Sequence, residues 1–223
     1  KNMINNLILN SLFLLPKSLV KVFANTYVAG IKIDEVLETA QNLNDKGFKT
    51  TIDLLGEHTK SIDEAKNIIN TYTTLLKKIN ILKLDSNISV KPTHIGLDVD
   101  EDIFYQHALS LIEEGEKYHN FIRFDMENSS TTDQTIDIYS KIYHKYKNTG
   151  IVLQAYLRRS YDDIKALSNY NNINFRLCKG IYNEKENIAY QSPEEINKNY
   201  LKITEYAFKN NLYICLATHD LHL

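Results

Sequence analysis

The chain has 223 residues, 43% of them hydrophobic, with 26 basic side chains against 28 acidic ones for a formal net charge of −2. That much apolar surface excludes a disordered protein, and the charge balance excludes the basic footprint of a nucleic-acid binder. Two cysteines, Cys178 and Cys215, exclude a disulfide scaffold and a thiolate zinc site and fit a reducing, cytoplasmic compartment.

In chain order, residues 1–47 read as a helical lead-in. Within it Leu7–Leu15 is an amphipathic helix: Asn10 and Ser11 interrupt the apolar run, and no small-residue cleavage site follows. No apolar run anywhere reaches the roughly 18 residues that a membrane span needs. From residue 48 to 223 the pattern alternates. β-rich runs lie at Lys49–Leu55, Ile88–Thr93, Phe121–Glu127, Gly150–Leu157, Asn174–Lys179 and Leu212–His219. Between them come segments with helical spacing. Ala65, Ile68, Ile69, Tyr72, Leu75, Leu76 and Ile79 step by three and four, as do Ile136, Tyr139, Ile142, Tyr143 and Tyr146, and again Ile196, Tyr200, Ile203 and Ala207. Two helix starts carry their own signals. Ser61 has Glu64 three residues on, and Ser192-Pro193-Glu194-Glu195 combines a cap, a first-turn proline and acidic residues against the dipole.

Repeated strand–helix units imply a parallel sheet, because parallel neighbours need a crossover connection. No G-x-G-x-x-G follows any strand, which argues against a dinucleotide-binding open sheet. Polar residues gather late in each run: Asp53, Lys91, Asp125 with Glu127, Gln154 with Tyr156, Arg176, and Thr218. Six in succession point to a shared floor at the C-terminal ends of converging strands, the usual active-site face of a (β/α)₈ TIM-type barrel. About six of the eight strand–helix units are visible. Because an apolar strand such as Leu212–Ala217 makes a poor bare edge, the C-terminal part of the domain is expected to lie beyond this chain.

The runs Thr51-Ile-Asp-Leu-Leu-Gly-Glu57, Ser89-Val-Lys-Pro-Thr93, Asp125-Met-Glu127, Gln154-Ala-Tyr156, Arg176-Leu-Cys-Lys-Gly-Ile-Tyr182 and Ala217-Thr-His-Asp220 together resemble the proline dehydrogenase family. They occur in that family's order, each at an expected strand end, from about Tyr27 onward. The resemblance implies a distorted (β/α)₈ barrel that holds FAD and oxidises L-proline to 1-pyrroline-5-carboxylate, passing hydride to flavin N5. It also implies electron delivery to a membrane quinone, hence a cytoplasmic enzyme peripheral to the inner membrane without a transmembrane segment.

The resemblance further implies roles for named residues. Arg176 stands beside flavin N5, where a fixed cation stabilises the reduced ring, and Asp125 belongs to the catalytic centre. Lys91 binds the substrate carboxylate and, as a buried ammonium, needs an acidic partner, with Glu57 and Asp125 as candidates. Asp53 is similar to a gating carboxylate that pairs with an arginine of the last helix, and Tyr182 lines the substrate pocket. Met126 and Gln154 meet the flavin ring, Lys179-Gly180-Ile181 forms the flavin-binding turn, and Thr218 and His219 contact the adenosine side. Two readings compete. A metal-dependent barrel hydrolase calls for His-x-His at the first strand end, where this chain has Asp53-Leu-Leu-Gly-Glu57. A non-enzymatic binding module would keep the motifs without closing the barrel.

Overall fold

The structure is a computed structural model and describes residues 28–221 and 223; the helix expected at Leu7–Leu15 lies outside them. The chain divides into two compact units, Lys1–Thr50 and Thr51–Leu223. In the first, helix α1 spans Ile33–Asn44. Its third residue, Glu35, accepts the otherwise orphaned backbone N–H groups of Ile31 (2.8 Å) and Lys32 (3.2 Å). Leu37 and Ala40 are its buried positions.

The second unit is a parallel sheet curled into a half-barrel with alternating helices, six units of a (β/α)₈ arrangement. Its strands are β1 (Thr50–Asp53), β2 (Ser86–Val90), β3 (Ile122–Phe124), β4 (Thr149–Gln154), β5 (Asn174–Cys178) and β6 (Tyr213–Leu216), and they lie side by side in chain order. Register pairs Ile88 with Ile122, Phe124 with Ile151, Gln154 with Cys178 and Arg176 with Cys215. Helices α2 (Ile62–Leu82), α3 (Glu101–Lys117), α4 (Thr132–Tyr143), α5 (Ser160–Leu167) and α6 (Pro193–Lys209) make the crossovers.

The apolar spacing and the caps explain the helices. Ser61 caps α2 by accepting the Glu64 N–H (3.2 Å), and the Glu64 side chain accepts the Lys60 N–H (2.9 Å). Ala65, Ile69, Tyr72, Leu75, Leu76 and Ile79 form the buried face of α2. Burying each large apolar side chain there contributes about 1.5–3 kcal/mol over leaving it exposed. The helix stops where Lys83 turns left-handed (φ 52°) and the Leu84 N–H closes on the Ile79 carbonyl (3.0 Å). At α6, Ser192 accepts the Glu195 N–H (3.2 Å), with Pro193 in the first turn.

The strands are shorter than the apolar runs suggest. Lys91, Asp125 and Thr218 lie just past their strands, on the connecting segments rather than in the ladder. The periodic run ending at Tyr146 also overshoots, because α4 ends at Tyr143. Strand β4 is buried along its whole length, whereas on β6 Tyr213 and Leu216 are at least half exposed. Inside the half-barrel Arg123 is only 5% exposed. It donates to the Asn174 side chain (2.8 Å) and the Ile151 carbonyl (3.3 Å), and burial is the main influence lowering its pKa.

Candidate functional site

The C-terminal ends of the strands open onto a cleft of about 480 Å³. Two ion pairs make its floor. Lys91, one residue beyond β2, pairs with Asp53 at the end of β1, and Arg176 of β5 pairs with Asp125 just beyond β3. Arg176 also reaches Ser89 Oγ at 3.3 Å. Behind the first pair, the Tyr72 hydroxyl of α2 lies 3.1 Å from Asp53 Oδ1 and 3.0 Å from the Ser89 carbonyl, and it accepts the Leu54 N–H (3.1 Å). Asp53 thus sits behind Lys91, and every other residue to which the family resemblance gives a role in the site lines the cleft itself.

The electrostatics follow from crowding. Burial raises the Asp53 pKa despite the Lys91 hydrogen bond and charge, and the Asp125 charge adds to the rise. Burial also works against the Lys91 ammonium. The Asp53 hydrogen bond and the charges of Asp53, Asp125 and Glu57 outweigh it and hold the lysine above its ordinary value. Lys91 therefore stays a cation.

On the wall, Gln154 donates from Nε2 to the Met126 carbonyl (3.0 Å), and its Oε1 is buried without a partner among the described residues. The segment after β5 carries Lys179, which pairs with Asp220 beyond β6. The Asp220 N–H in turn bonds Thr218 Oγ1 (3.0 Å), beside His219. Gly180 has a left-handed φ of 105° and lies directly against the Tyr156 ring, where a Cβ would come 2.1 Å from Cδ1. Across the mouth the Tyr182 hydroxyl donates to Glu57 Oε1 (2.8 Å), and burial, reinforced by that carboxylate, pushes the phenol pKa up.

Three expectations are corrected here. Lys91 takes Asp53 as its partner, not Glu57 or Asp125, which are engaged with Tyr182 and Arg176. Glu127 does not join the floor. The β3 ladder ends at Phe124, so strand alternation no longer governs its direction. It is 1% exposed and accepts Thr93 N (2.8 Å) and Oγ1 (2.6 Å), tying down the turn after β2. Tyr156 lies under Gly180 rather than on the polar floor.

Two residues near the cleft were missed as site residues. Cys178 lines it, and its apolar strand context gave no chemical signal. His94 is buried with Nδ1 unpartnered among the described residues, and Gly56 presses on its ring, where a Cβ would come 2.4 Å from Nε2. The Lys91-to-His94 spacing in the turn was the available clue. Among the described residues no group of three or more His, Cys, Asp or Glu is arranged to hold a metal ion, and no helix is long and apolar enough to cross a membrane.

A parallel βα half-barrel with its charged cleft at the strand C-termini defines a protein of the TIM-barrel class. Within that class the chain belongs to the proline dehydrogenase family, whose model matches residues 36–222. It is 32% identical over 200 residues to proline dehydrogenase 2 of Bacillus subtilis strain 168, covering 90% of this chain and 66% of that protein. To the proline dehydrogenase of Deinococcus radiodurans it is 28% identical over 202 residues, covering 88% and 65%. The chain thus spans just under two thirds of these relatives. The solved structure of proline utilization A from Bdellovibrio bacteriovorus, inactivated by N-propargylglycine, superposes with a TM-score of 0.81 at 24% identity, over 90% of this chain and 26% of that one.

Proposed function

We propose that this chain carries the cofactor- and substrate-holding part of an FAD-dependent enzyme that oxidises L-proline to 1-pyrroline-5-carboxylate. The proposal assigns this work to residues 48–223, with 1–47 as a helical lead-in. A membrane quinone is the proposed electron acceptor, which sets the protein in the cytoplasm, peripheral to the inner membrane. The family membership and the names of the relatives support the reading. The observation that carries it is the Gln154 amide oxygen, sealed from water and without a partner among the described residues, on a cleft lined also by three cations, Lys91, Arg176 and Lys179. A buried acceptor with no donor calls for one from a ligand.

The residues present fit FAD. The orphaned Gln154 oxygen suits an imide N–H of the flavin ring, with Met126 beside it. Gly180 and Ile181 line the cleft, the Ile181 side chain exposed, and suit a turn that meets the cofactor. Lys179 suits the pyrophosphate, and Thr218 and His219 suit the adenosine side. When bound, FAD would supply the acceptor for the hydride that leaves the proline ring.

The chain's own part is to position and to set charge. Lys91, kept cationic by Asp53, meets the substrate carboxylate with the ammonium hydrogens that Asp53 leaves free. Asp125 fixes the orientation of the Arg176 fork, so that a permanent cation faces the ring on which negative charge develops. Tyr182 and Glu57 bridge the mouth and restrict water.

The test is the visible spectrum of the purified chain, supplied with FAD, before and after anaerobic L-proline. Flavin bands that bleach are expected. Bands that persist would overturn the oxidation reading for this chain, and failure to take up FAD would overturn the cofactor reading as well.

A further inference from the structure

We propose that Tyr156 is a positioning residue: its ring is the platform that sets the height of the Lys179–Tyr182 turn, and through that turn it controls how tightly the chain holds FAD. The inference rests on the flavin reading above and adds a residue to which no contact with cofactor or substrate is assigned.

Tyr156 follows β4 by two residues and is 6% exposed. Its face is covered by Gly180. A Cβ on that glycine would fall 2.1, 2.4 and 2.7 Å from Cδ1, Cε1 and Cγ of the ring, well inside any real Cβ contact. The turn and the ring are also tied through the backbone, since Tyr156 N–H donates to the Lys179 carbonyl at 2.8 Å. On its other side the Tyr156 carbonyl accepts the Tyr190 N–H at 2.8 Å, and Leu157 pairs with Ala189. The main chain at Tyr156 is therefore anchored, and the residue belongs to a buried cluster with Leu157 and Ala189 against which Tyr182, Ile188 and Ile196 pack, so the turn conforms to the ring more readily than the ring to the turn. The hydroxyl is sealed from water and has no close hydrogen-bond partner among the described residues, the backbone N–H of Tyr182 acting on it only weakly. The flat ring, not the polar tip, does the positioning. Repulsion rises steeply over tenths of an ångström, so such a platform fixes distance more sharply than a charge could.

Specific outcomes follow for FAD affinity, measured by quenching of flavin fluorescence, with circular dichroism and melting recorded for every variant. Gly180→Ala should weaken FAD by about tenfold or more. Tyr156→Phe should bind within about twofold of the parent, because the ring is kept. The decisive variant is Tyr156→Ala with Gly180→Ala. Once the ring is gone, adding the methyl should cost several-fold less than it does in the parent, the backbone strain of an alanine at φ 105° remaining in both backgrounds, a non-additivity expected only of groups in contact. Equal cost of Gly180→Ala in both backgrounds, or a large loss from Tyr156→Phe, would overturn the inference.

If the parent chain takes up no FAD, the flavin reading fails, and the platform is then judged by amide exchange at residues 179–182. Tyr156→Ala should speed that exchange about tenfold or more while Tyr156→Phe leaves it near the parent. Unchanged exchange would sink the platform too. If Tyr156→Ala does not fold, Gly180→Ala compared in the parent and Tyr156→Leu backgrounds gives the same contrast.

Discussion

On the floor of the cleft Lys91 and Arg176 each face a carboxylate from another strand end, whereas on the rim Gly56 and Gly180 lie against the rings of His94 and Tyr156. The two arrangements tolerate error differently. Attraction between charges falls only with the first power of distance, so the floor keeps its electrostatic character through small displacements. The rim contacts are steric and fail within tenths of an ångström. The floor therefore sets what charge the cleft can stabilise, and the rim sets how far apart its walls stand.

Several changes would break or sharpen that contrast. The largest effect should come from Arg176→Met, which removes the floor cation while keeping bulk. Proline-dependent bleaching of bound flavin in stopped flow should slow by about 10²–10³, and a loss below about tenfold would contradict the role given to the floor. Next comes Lys91→Met, which leaves the Asp53 carboxylate with Tyr72 alone. Full burial would cost about 3–5 kcal/mol, and partial exposure of this pair brings the expected loss in urea unfolding to about 2–3 kcal/mol. Adding Asp53→Asn should restore part of it, since neither partner is then left charged and alone.

On the rim, Gly56→Ala should cost about 1–3 kcal/mol in the same assay, because its methyl meets the His94 ring. The cost should shrink in a His94→Ala background, and an unchanged cost would show that the ring is not the obstacle. The smallest effect lies in the two histidines beside the rim, which should titrate on opposite sides of 6.5. The hydrogen bond to Asp98 (2.6 Å), helped by the charges around it, raises His58. Its contribution to stability is full below pH 6.5 and is lost as pH rises through the folded value. Burial, then the Lys91 charge, lowers His94. Its contribution is full above pH 6.5 and is lost as pH falls toward the folded value, because the unfolded chain takes up the proton first. Ring-carbon NMR titration separates the two, and a common midpoint would contradict both environments.

Much of this architecture is legible in the amino-acid order. The six apolar runs each overlap a strand, β2 and β4 starting slightly before theirs, and Ser61 and Ser192 cap helices as their neighbours suggest. Strand ends were harder, because fully buried strands such as β4 show no alternation to mark where pairing stops. Helix α3 was not singled out, although Phe104, Ala108, Leu111 and Ile112 share its buried face. Helix α5 has only eight residues and offers too few turns for a period to emerge. At the cleft, the residue types were readable and their partners were not. Nothing local in Glu127 tells that its carboxylate serves the Thr93 turn, or in Lys91 that Asp53 wins over two other acids. Pairing across the sheet depends on register and on which loops fold back.

The reach of the Glu57–Tyr182 bond carries a consequence for how the molecule assembles. Those residues are 125 positions apart, and Arg176 meets Ser89 across 87. Closing segments that long is entropically slow and unrewarded until the intervening strands have paired. The bridge over the mouth can therefore form only after the chain has wound from the first strand round to the fifth, so its formation is a late event and its presence a reporter of completed folding. A slow final phase in refolding, seen by a probe at Tyr182 and absent from probes on α2, is the kinetic signature that this topology calls for.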